Sequence, residues 1–296
     1  MGKKKQLSCN RRDFLKGTVA ALVGTGVVAG AGGLGVAPVR AADLKEGANP
    51  DQDSSEVRWA VLADLSRCSG CRACSIACKT ENDVRLGVFR QGVKHYEAGE
   101  FPDTQRHFLP WMCNQCKNPS CLKRCPVDLT KGLLEFPNGD QVEYTGRATY
   151  QRPDGLVLID QEACVGCGRC VEDCPYGVRY LDPAKPAGGD PAQYGLDIEN
   201  PRAADKCTLC VHRLENGVVP ACMNTCPAKT YTIGNINDPN SEISQRLAAA
   251  GDDVTALWES VGTEPMVFYI GLEEKAFTDG DDPKEEAGLQ LITPGV

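Results

Sequence analysis

Four short apolar runs, separated by long polar stretches, predict a fold built from brief strands. The runs are rich in branched and aromatic residues and lie at 57–62, 156–159, 231–234 and 266–272. Each has the length and composition of a strand, and the last is far too short to cross a membrane as a helix. Two segments between the runs, 131–153 and 183–200, are rich in Gly, Pro, Asp and Gln. This composition indicates insertions between structural units.

The polar stretches carry four groups of cysteines, and each group ends in a Cys-x3-Cys step. Three of the four groups also close with Cys-Pro. Because Cys-x3-Cys separates two thiols by about one helical turn, each step predicts the start of a short helix. The groups use sixteen of the seventeen cysteines: Cys68, Cys71, Cys74 and Cys78; Cys113, Cys116, Cys121 and Cys125; Cys164, Cys167, Cys170 and Cys174; and Cys207, Cys210, Cys222 and Cys226.

This spacing is typical of proteins that bind [4Fe–4S] clusters. Each iron of the cube needs a terminal ligand, and a soft thiolate suits iron in a sulfide cage. In a Cys-x2-Cys-x2-Cys-x3-Cys-Pro run, three thiols reach one cube and the fourth ligates a second cube. The sequence therefore predicts four [4Fe–4S] clusters on the sixteen cysteines. The expected fold is α+β, with two ferredoxin-like modules and loop insertions.

Zinc and disulfide bonds are the competing interpretations of so many cysteines. Structural zinc sites use two separated cysteine pairs, which does not account for the tight triples or for Cys-Pro. A disulfide network suits an exported chain but does not account for four matching groups. A Rieske centre would need two histidines in place of two cysteines, and no group shows this. His95, His107 and His212 are therefore interpreted as structural or surface residues.

Basic residues stand beside several of the cysteines. They would offset the negative charge of thiolate-bound clusters and raise the reduction potentials, although for each one alone a solvated position is the simpler interpretation. These residues are Arg67, Arg72, Lys79, Lys117, Lys123, Arg124, Arg169 and Lys206. The chain as a whole is acidic, with a net charge of -8, which argues against nucleic acid as a partner.

The first 41 residues resemble a twin-arginine export signal. The motif Asn-Arg-Arg-Asp-Phe-Leu-Lys at 10–16 precedes a glycine-rich apolar run at 17–37. Residues 39–41 form a small-x-small cleavage site, so the mature chain is expected to begin near Ala42 and to lack Cys9. The alternative is an uncleaved N-terminal anchor, because the run is long enough to span a bilayer.

These features predict a periplasmic protein that is exported in the folded state and held to the membrane through a partner. Folded export suits a protein that must acquire iron and sulfide before it meets an oxidising compartment. The expected organisation is a signal at 1–41, a flexible leader at 42–56, a four-cluster domain pair at 57–275 and a polar tail at 276–296.

Four cysteine groups in this order resemble the iron–sulfur subunits of respiratory molybdopterin oxidoreductases of the dimethyl-sulfoxide reductase class. The resemblance covers residues 57 to about 275. Residues 206–215, 237–241 and 268–272 look most like the branch of that family found in tetrathionate reductases. Nitrate reductase subunits carry Trp in place of one cysteine of the second group, whereas this chain keeps Cys121.

The resemblance implies that the first group exchanges its last cysteine with the fourth group, and the second with the third. The implied ligand sets are Cys68, Cys71, Cys74 and Cys226; Cys78, Cys207, Cys210 and Cys222; Cys113, Cys116, Cys121 and Cys174; and Cys125, Cys164, Cys167 and Cys170.

The resemblance also implies a non-catalytic electron-transfer subunit. In that family the subunit passes electrons between a molybdopterin catalytic subunit and an integral-membrane quinone-reactive subunit, and anaerobic respiration of sulfur compounds is the favoured setting here. The alternative is a free periplasmic electron shuttle of the polyferredoxin type. Substrate chemistry at a cluster would need a corner without a cysteine, and all sixteen are present.

Overall fold

The computed structural model describes residues 57–98, 101–128, 130–135 and 141–272. The predicted signal at 1–41, the leader at 42–56 and the tail at 276–296 lie outside these residues. Within the described ranges, none of the helices has the length and apolar content needed to cross a bilayer.

The described chain mixes short helices and short strands, as expected for an α+β fold. The helices are α1 (Ala73–Glu81), α2 (Ser120–Lys123), α3 (Arg169–Glu172), α4 (Val211–Leu214), α5 (Ala221–Asn224) and α6 (Glu242–Ala250). The strands are β1 (Trp59–Asp64), β2 (Gln91–Ala98), β3 (Gln105–Met112), β4 (Thr130–Glu135), β5 (Gln141–Gly146), β6 (Thr149–Gln151), β7 (Val157–Ile159), β8 (Tyr180–Pro186), β9 (Arg202–Asp205), β10 (Tyr231–Asn235), β11 (Val254–Ala256) and β12 (Val267–Ile270). The four predicted strands are confirmed by β1, β7, β10 and β12.

A four-stranded sheet in the order β10–β1–β12–β11 joins the two ends of the described chain. Strand β1 pairs antiparallel with β10 and parallel with β12. Val61 and Ala63 of β1 face the main core, whereas Ala60 and Leu62 pack with Ile243 of α6 on the other face. Because both faces of β1 are buried, its sequence is continuously apolar rather than alternating.

The segment 131–153, expected to be a loop insertion, contains strands instead. Strand β4 pairs with β5 between Thr130 and Gly146, and β6 pairs with β7. Thr149 and Tyr150 of β6 are buried. A buried backbone must pair its polar groups, and strand pairing does this here, so the loop prediction was wrong for this part of the chain. Strand β8 likewise extends into the segment 183–200.

Short helices form at the cysteine steps, as predicted, and they pack in two pairs. Helix α1 carries Cys74 and Cys78, α2 carries Cys121, α3 carries Cys170 and α5 carries Cys222. Helix α1 contacts α5, and α2 contacts α3. The first cysteine group therefore lies beside the fourth, and the second beside the third.

Candidate metal centres

Two cavities are lined by cysteines that come from different groups. The first is lined by thiols of the first and fourth groups, which we call set A: Cys68, Cys71, Cys74 and Cys226. The second is lined by thiols of the second and third groups, which we call set C: Cys113, Cys116, Cys121 and Cys174. In each cavity three thiols of one group meet the last thiol of another.

The last thiol of the first group lies among three thiols of the fourth group. Burial, followed by repulsion from Cys78 and other neighbouring thiolates, raises the pKa of Cys207, and Cys222 interacts with the same thiols. The side-chain Nδ2 of Asn82 lies 3.7 Å from Sγ of both Cys78 and Cys210. These four thiols form set B: Cys78, Cys207, Cys210 and Cys222.

The last thiol of the second group, Cys125, lies among the first three thiols of the third group. Burial raises the pKa of Cys164 and of Cys167, and repulsion from Cys125 and Cys170 adds to the shift at both thiols. These four residues form set D: Cys125, Cys164, Cys167 and Cys170. Sets A to D place together the cysteines that the sequence resemblance implied as ligand sets.

Burial makes the thiolate form of several of these cysteines unfavourable. Desolvation is the largest cause that raises the pKa of Cys78, Cys116 and Cys121 to about 12 each. A thiol with such a pKa keeps its proton at neutral pH unless a metal ion replaces that proton. The sets are therefore suited to hold thiolates where iron supplies the positive charge.

Backbone amides point at the sulfurs from the surrounding turns. The N–H groups of Ala204, Leu209 and Thr230 donate to Cys164 Sγ at 3.4 Å, Cys207 Sγ at 3.3 Å and Cys226 Sγ at 3.4 Å. Hydrogen bonds of this kind stabilise the thiolate and tune the potential of a bound cluster.

The residues around set C fit a bound cluster. Asn114 is 1% exposed, and neither polar atom of its side-chain amide has a hydrogen-bond partner in the described part of the chain; the same holds for Nη2 of Arg179. Both residues line the cavity of set C. Since buried donors are normally satisfied, sulfide or thiolate acceptors of a cluster would pair with the donors Nδ2 of Asn114 and Nη2 of Arg179. Among the described residues, no three His, Cys, Asp or Glu side chains are arranged to hold a single metal ion.

Polar residues that the cysteine spacing did not identify also reach the thiols. Arg90 donates to Asn82 Oδ1 at 3.1 Å and binds the carboxylate of Asp205 through two bonds of 2.8 Å. Gln91 Nε2 lies 3.8 Å from Cys74 Sγ. Of these residues, only Asn82 could have been found from the local sequence. It follows Cys78 by four residues and therefore shares a helix face with it.

Most of the basic residues beside the cysteines lie on the surface, which confirms the simpler interpretation for them. The exposed members are Arg67, Arg72, Lys117, Lys123, Arg124 and Arg169. Lys79 is half-buried and its ammonium lies 4.1 Å from the ring centre of Phe89. Lys206 differs, since it is 1% exposed and donates to the backbone carbonyls of Val157 and Cys207.

Buried thiols around cavities of this kind define an iron–sulfur protein of the [4Fe–4S] type. The chain matches the family model of the 4Fe-4S dicluster domain over residues 104–187 and 191–236. It is 35% identical to a tetrathionate reductase subunit of Salmonella typhimurium over 83% of this chain and 85% of that protein. It is 30% identical to a selenate reductase subunit of Mesobacillus selenatarsenatis over 91% of this chain and 100% of that protein.

The arsenate respiratory reductase iron-sulfur subunit ArrB of Shewanella sp. is 32% identical, over 72% of this chain and 96% of that protein. The chain belongs to the family of iron–sulfur subunits of respiratory reductases of the dimethyl-sulfoxide reductase class.

Proposed function

We propose that this chain is a non-catalytic subunit that relays single electrons through four [4Fe–4S] clusters, one on each of sets A to D. When bound, the clusters supply one-electron redox chemistry, and the protein supplies thiolates, burial and hydrogen bonds. Sets A and B belong to one ferredoxin-like module and sets C and D to a second, both within residues 57–275.

The order of the sets supports a single row. Cys74 of set A interacts with Cys78 of set B, and Cys207 of set B interacts with Cys113 of set C. Arg179 interacts with thiols of both set C and set D. The sets therefore follow one another as A, B, C and D.

The observation that carries the proposal is the change in burial along this row. Every thiol of sets B and C is buried. At the ends of the row, Cys71 of set A is exposed and Cys167 of set D is half-buried. A row whose middle is shielded and whose ends reach the surface suits transfer between two partners, because electrons enter and leave only at the ends.

Relatives named as subunits of reductases support a catalytic partner for one end of the row, a molybdopterin subunit in this proposal. The partner for the other end is an integral-membrane quinone-reactive subunit, and respiration of sulfur compounds is the favoured setting. The twin-arginine motif at 10–16 supports export of the folded chain to the periplasm, with cleavage near Ala42.

A free electron shuttle is the second candidate. Exposed apolar side chains on and after α1, the helix that carries Cys74 of set A, favour a complex instead. Ile76 lies on α1 between Cys74 and Cys78 and is 64% exposed, and Leu86 in the following loop is 90% exposed. Exposed apolar side chains beside a redox site are more useful to a docked subunit than to a free shuttle.

The test is purification of the mature chain without oxygen, followed by iron and acid-labile sulfide analysis and titration by electron paramagnetic resonance. Four cubes require about sixteen irons per chain, with several reducible signals. Zinc in place of iron, or few irons in an anaerobic preparation, would overturn the proposal. Co-purification with a molybdenum subunit separates the complex from the free shuttle.

A further inference from the structure

Arg179 is a cation buried among thiols. It follows the third cysteine group, directly before β8, and is 2% exposed. Its Nη1 donates to Thr149 Oγ1 at 3.1 Å, and the guanidinium also lies within hydrogen-bonding reach of the Cys170 thiol. A buried guanidinium that lacks a compensating negative charge strongly destabilises a fold, so this position calls for an anion.

The groups that face Arg179 are cysteines of two different sets. The guanidinium interacts with Cys113 and Cys121 of set C and with Cys170 of set D, and it lines the cavity of set C. In the described ranges no carboxylate forms an ion pair with it.

Two other arginines, the half-buried Arg90 and the buried Arg152, have carboxylate partners. Arg90 binds Asp205 through two bonds of 2.8 Å, and Arg152 pairs with Asp154 and Glu215. The fold provides acids for these two cations, but none of the described acids pairs with Arg179. The groups beside Arg179 that can carry negative charge are the cysteine thiols of sets C and D.

We propose that Arg179 is a shared counter-charge for the clusters of sets C and D and raises the reduction potentials of both. The inference rests on the proposed function, because it needs clusters in these two sets. Reduction adds one negative charge to a cluster, and a fixed cation in a low-dielectric interior favours the more negative state. One side chain thus acts on two neighbouring steps of the relay.

The test compares the anaerobically purified full chain with three variants in a redox titration followed by electron paramagnetic resonance. Arg179→Met removes the buried charge, and Arg179→Lys keeps it. Arg169→Met is the matched control, because Arg169 is next to Cys170 in sequence but its side chain is exposed, where water and salt screen its charge. Cys121→Ser and Cys167→Ser identify the signals of sets C and D by their loss.

In Arg179→Met we expect the ratio of reduced to oxidised cluster, at a fixed potential, to fall about tenfold for sets C and D, which is about 59 mV for a one-electron couple. Sets A and B should keep their potentials. Arg179→Lys and Arg169→Met should stay within about twofold of the wild type at all four sets, because the first keeps the charge and the second removes a screened one.

Unchanged potentials in Arg179→Met, or equal shifts at all four sets, would overturn the inference. Loss of the set C and D clusters in Arg179→Met, with retention in Arg179→Lys, would support the counter-charge role, since Lys restores the positive charge that Met lacks. Loss in both variants would overturn it in favour of a role in packing. A wild-type chain without clusters would overturn the proposed function itself, whereas wild-type clusters with unaltered variant potentials would remove only the role of Arg179.

Discussion

Asn82 Nδ2 lies 3.7 Å from Cys210 Sγ, although 128 positions separate the two residues. The amide is held in this orientation from its other side, because Arg90 Nη1 donates to Asn82 Oδ1 at 3.1 Å. The same Nδ2 lies 3.7 Å from Cys78 Sγ. A single amide therefore reaches sulfurs contributed by the first and the fourth cysteine groups.

Replacing Asn82 by Leu should lower the potential of the set B cluster. Leu has a similar shape but cannot donate to the sulfurs, and one hydrogen bond is worth about 1 kcal/mol, or about 40 mV for a one-electron couple. The measurement is a redox titration of the anaerobic protein. Asn216→Leu is the control, because the exposed Asn216 amide donates to the backbone carbonyl of His212 rather than to sulfur. A shift at set C or D instead of set B would contradict the assignment.

Substitution of the two members of the Arg90–Asp205 pair should shift the reduction potential of the set B cluster in opposite directions. Arg90→Met leaves the Asp205 carboxylate uncompensated near set B and should lower this potential. Asp205→Asn leaves the cation uncompensated and should raise this potential. Arg90→Met also leaves the buried charge of Asp205 unpaired, which costs about 3–5 kcal/mol, and Asp205→Asn leaves the half-buried Arg90 unpaired at a smaller cost. The double variant should therefore recover both stability and potential in part.

Urea unfolding followed by cluster absorbance, together with the redox titration, measures both effects of this pair. The pair Arg106–Glu97 is the control, because its side chains are 64% and 60% exposed, and Arg106→Met should change stability by less than about 1 kcal/mol. Shifts of the same sign for Arg90→Met and Asp205→Asn would exclude an electrostatic role for the pair.

Cys121→Ser and Cys174→Ser should remove the same cluster, although the two cysteines belong to different groups. Both line the cavity of set C. Each variant should either lose the whole set C cluster, with about four irons fewer than the wild type, or keep a three-iron cluster in its place. In both variants the [4Fe–4S] signal of set C should be missing from the spectrum. Cys170→Ser, only four positions before Cys174, should remove the set D signal instead. Loss of all four clusters in a folded Cys121→Ser protein would contradict two separately paired modules.

Gly166→Ala should disrupt set D more than Gly168→Ala. Gly166 has a φ of +68°, and an added Cβ would lie 2.7 Å from the backbone oxygen of Arg202 in β9. Gly168 has a φ of +73°, but the nearest atom to its added Cβ is Leu181 Cδ1 at 3.8 Å. The left-handed conformation costs a side chain about 1–2 kcal/mol at either site, and only Gly166 adds a clash with backbone.

Iron content and the set D signal measure the difference between the two glycine variants. We expect Gly168→Ala to keep all clusters and to unfold at a somewhat lower urea concentration, and Gly166→Ala to lose the set D signal. Equal behaviour of the two variants would show that backbone conformation alone, and not the approach of β9, sets the requirement for glycine.

The thiols and short strands were accessible from the sequence because their signals are local. The Cys-x3-Cys step predicts its own helical turn, and the runs at 231–234 and 266–272 have strand composition within a few residues. The segment 131–153 was misjudged because burial of Thr149 and Tyr150 depends on pairing with β7, which the composition of the segment does not encode.

The polar surroundings of the thiols were mostly beyond sequence reasoning. Proximity to a cysteine in the chain pointed to exposed basic residues such as Arg169, whereas Arg179 lies outside that pattern and Asp205 is an acid two residues before Cys207. Arg179 is nine residues from Cys170 but faces its thiol, and Asp205 reaches set B through Arg90 and Asn82. Long-range contacts of this kind become visible only when the fold brings the elements together.

The packing of α1 on α5 and of α2 on α3 places one helix pair inside the other along the chain. During synthesis the inner pair has all of its residues once residue 174 has left the ribosome, whereas the outer pair must wait for residue 226. The inner pair can therefore assemble first, from the middle of the polypeptide outwards. A nascent chain that stops before α5 has the first cysteine group but lacks Cys222 and Cys226 of the fourth group. Such an incomplete molecule therefore differs chemically from a finished one, because the first group has unpaired thiols.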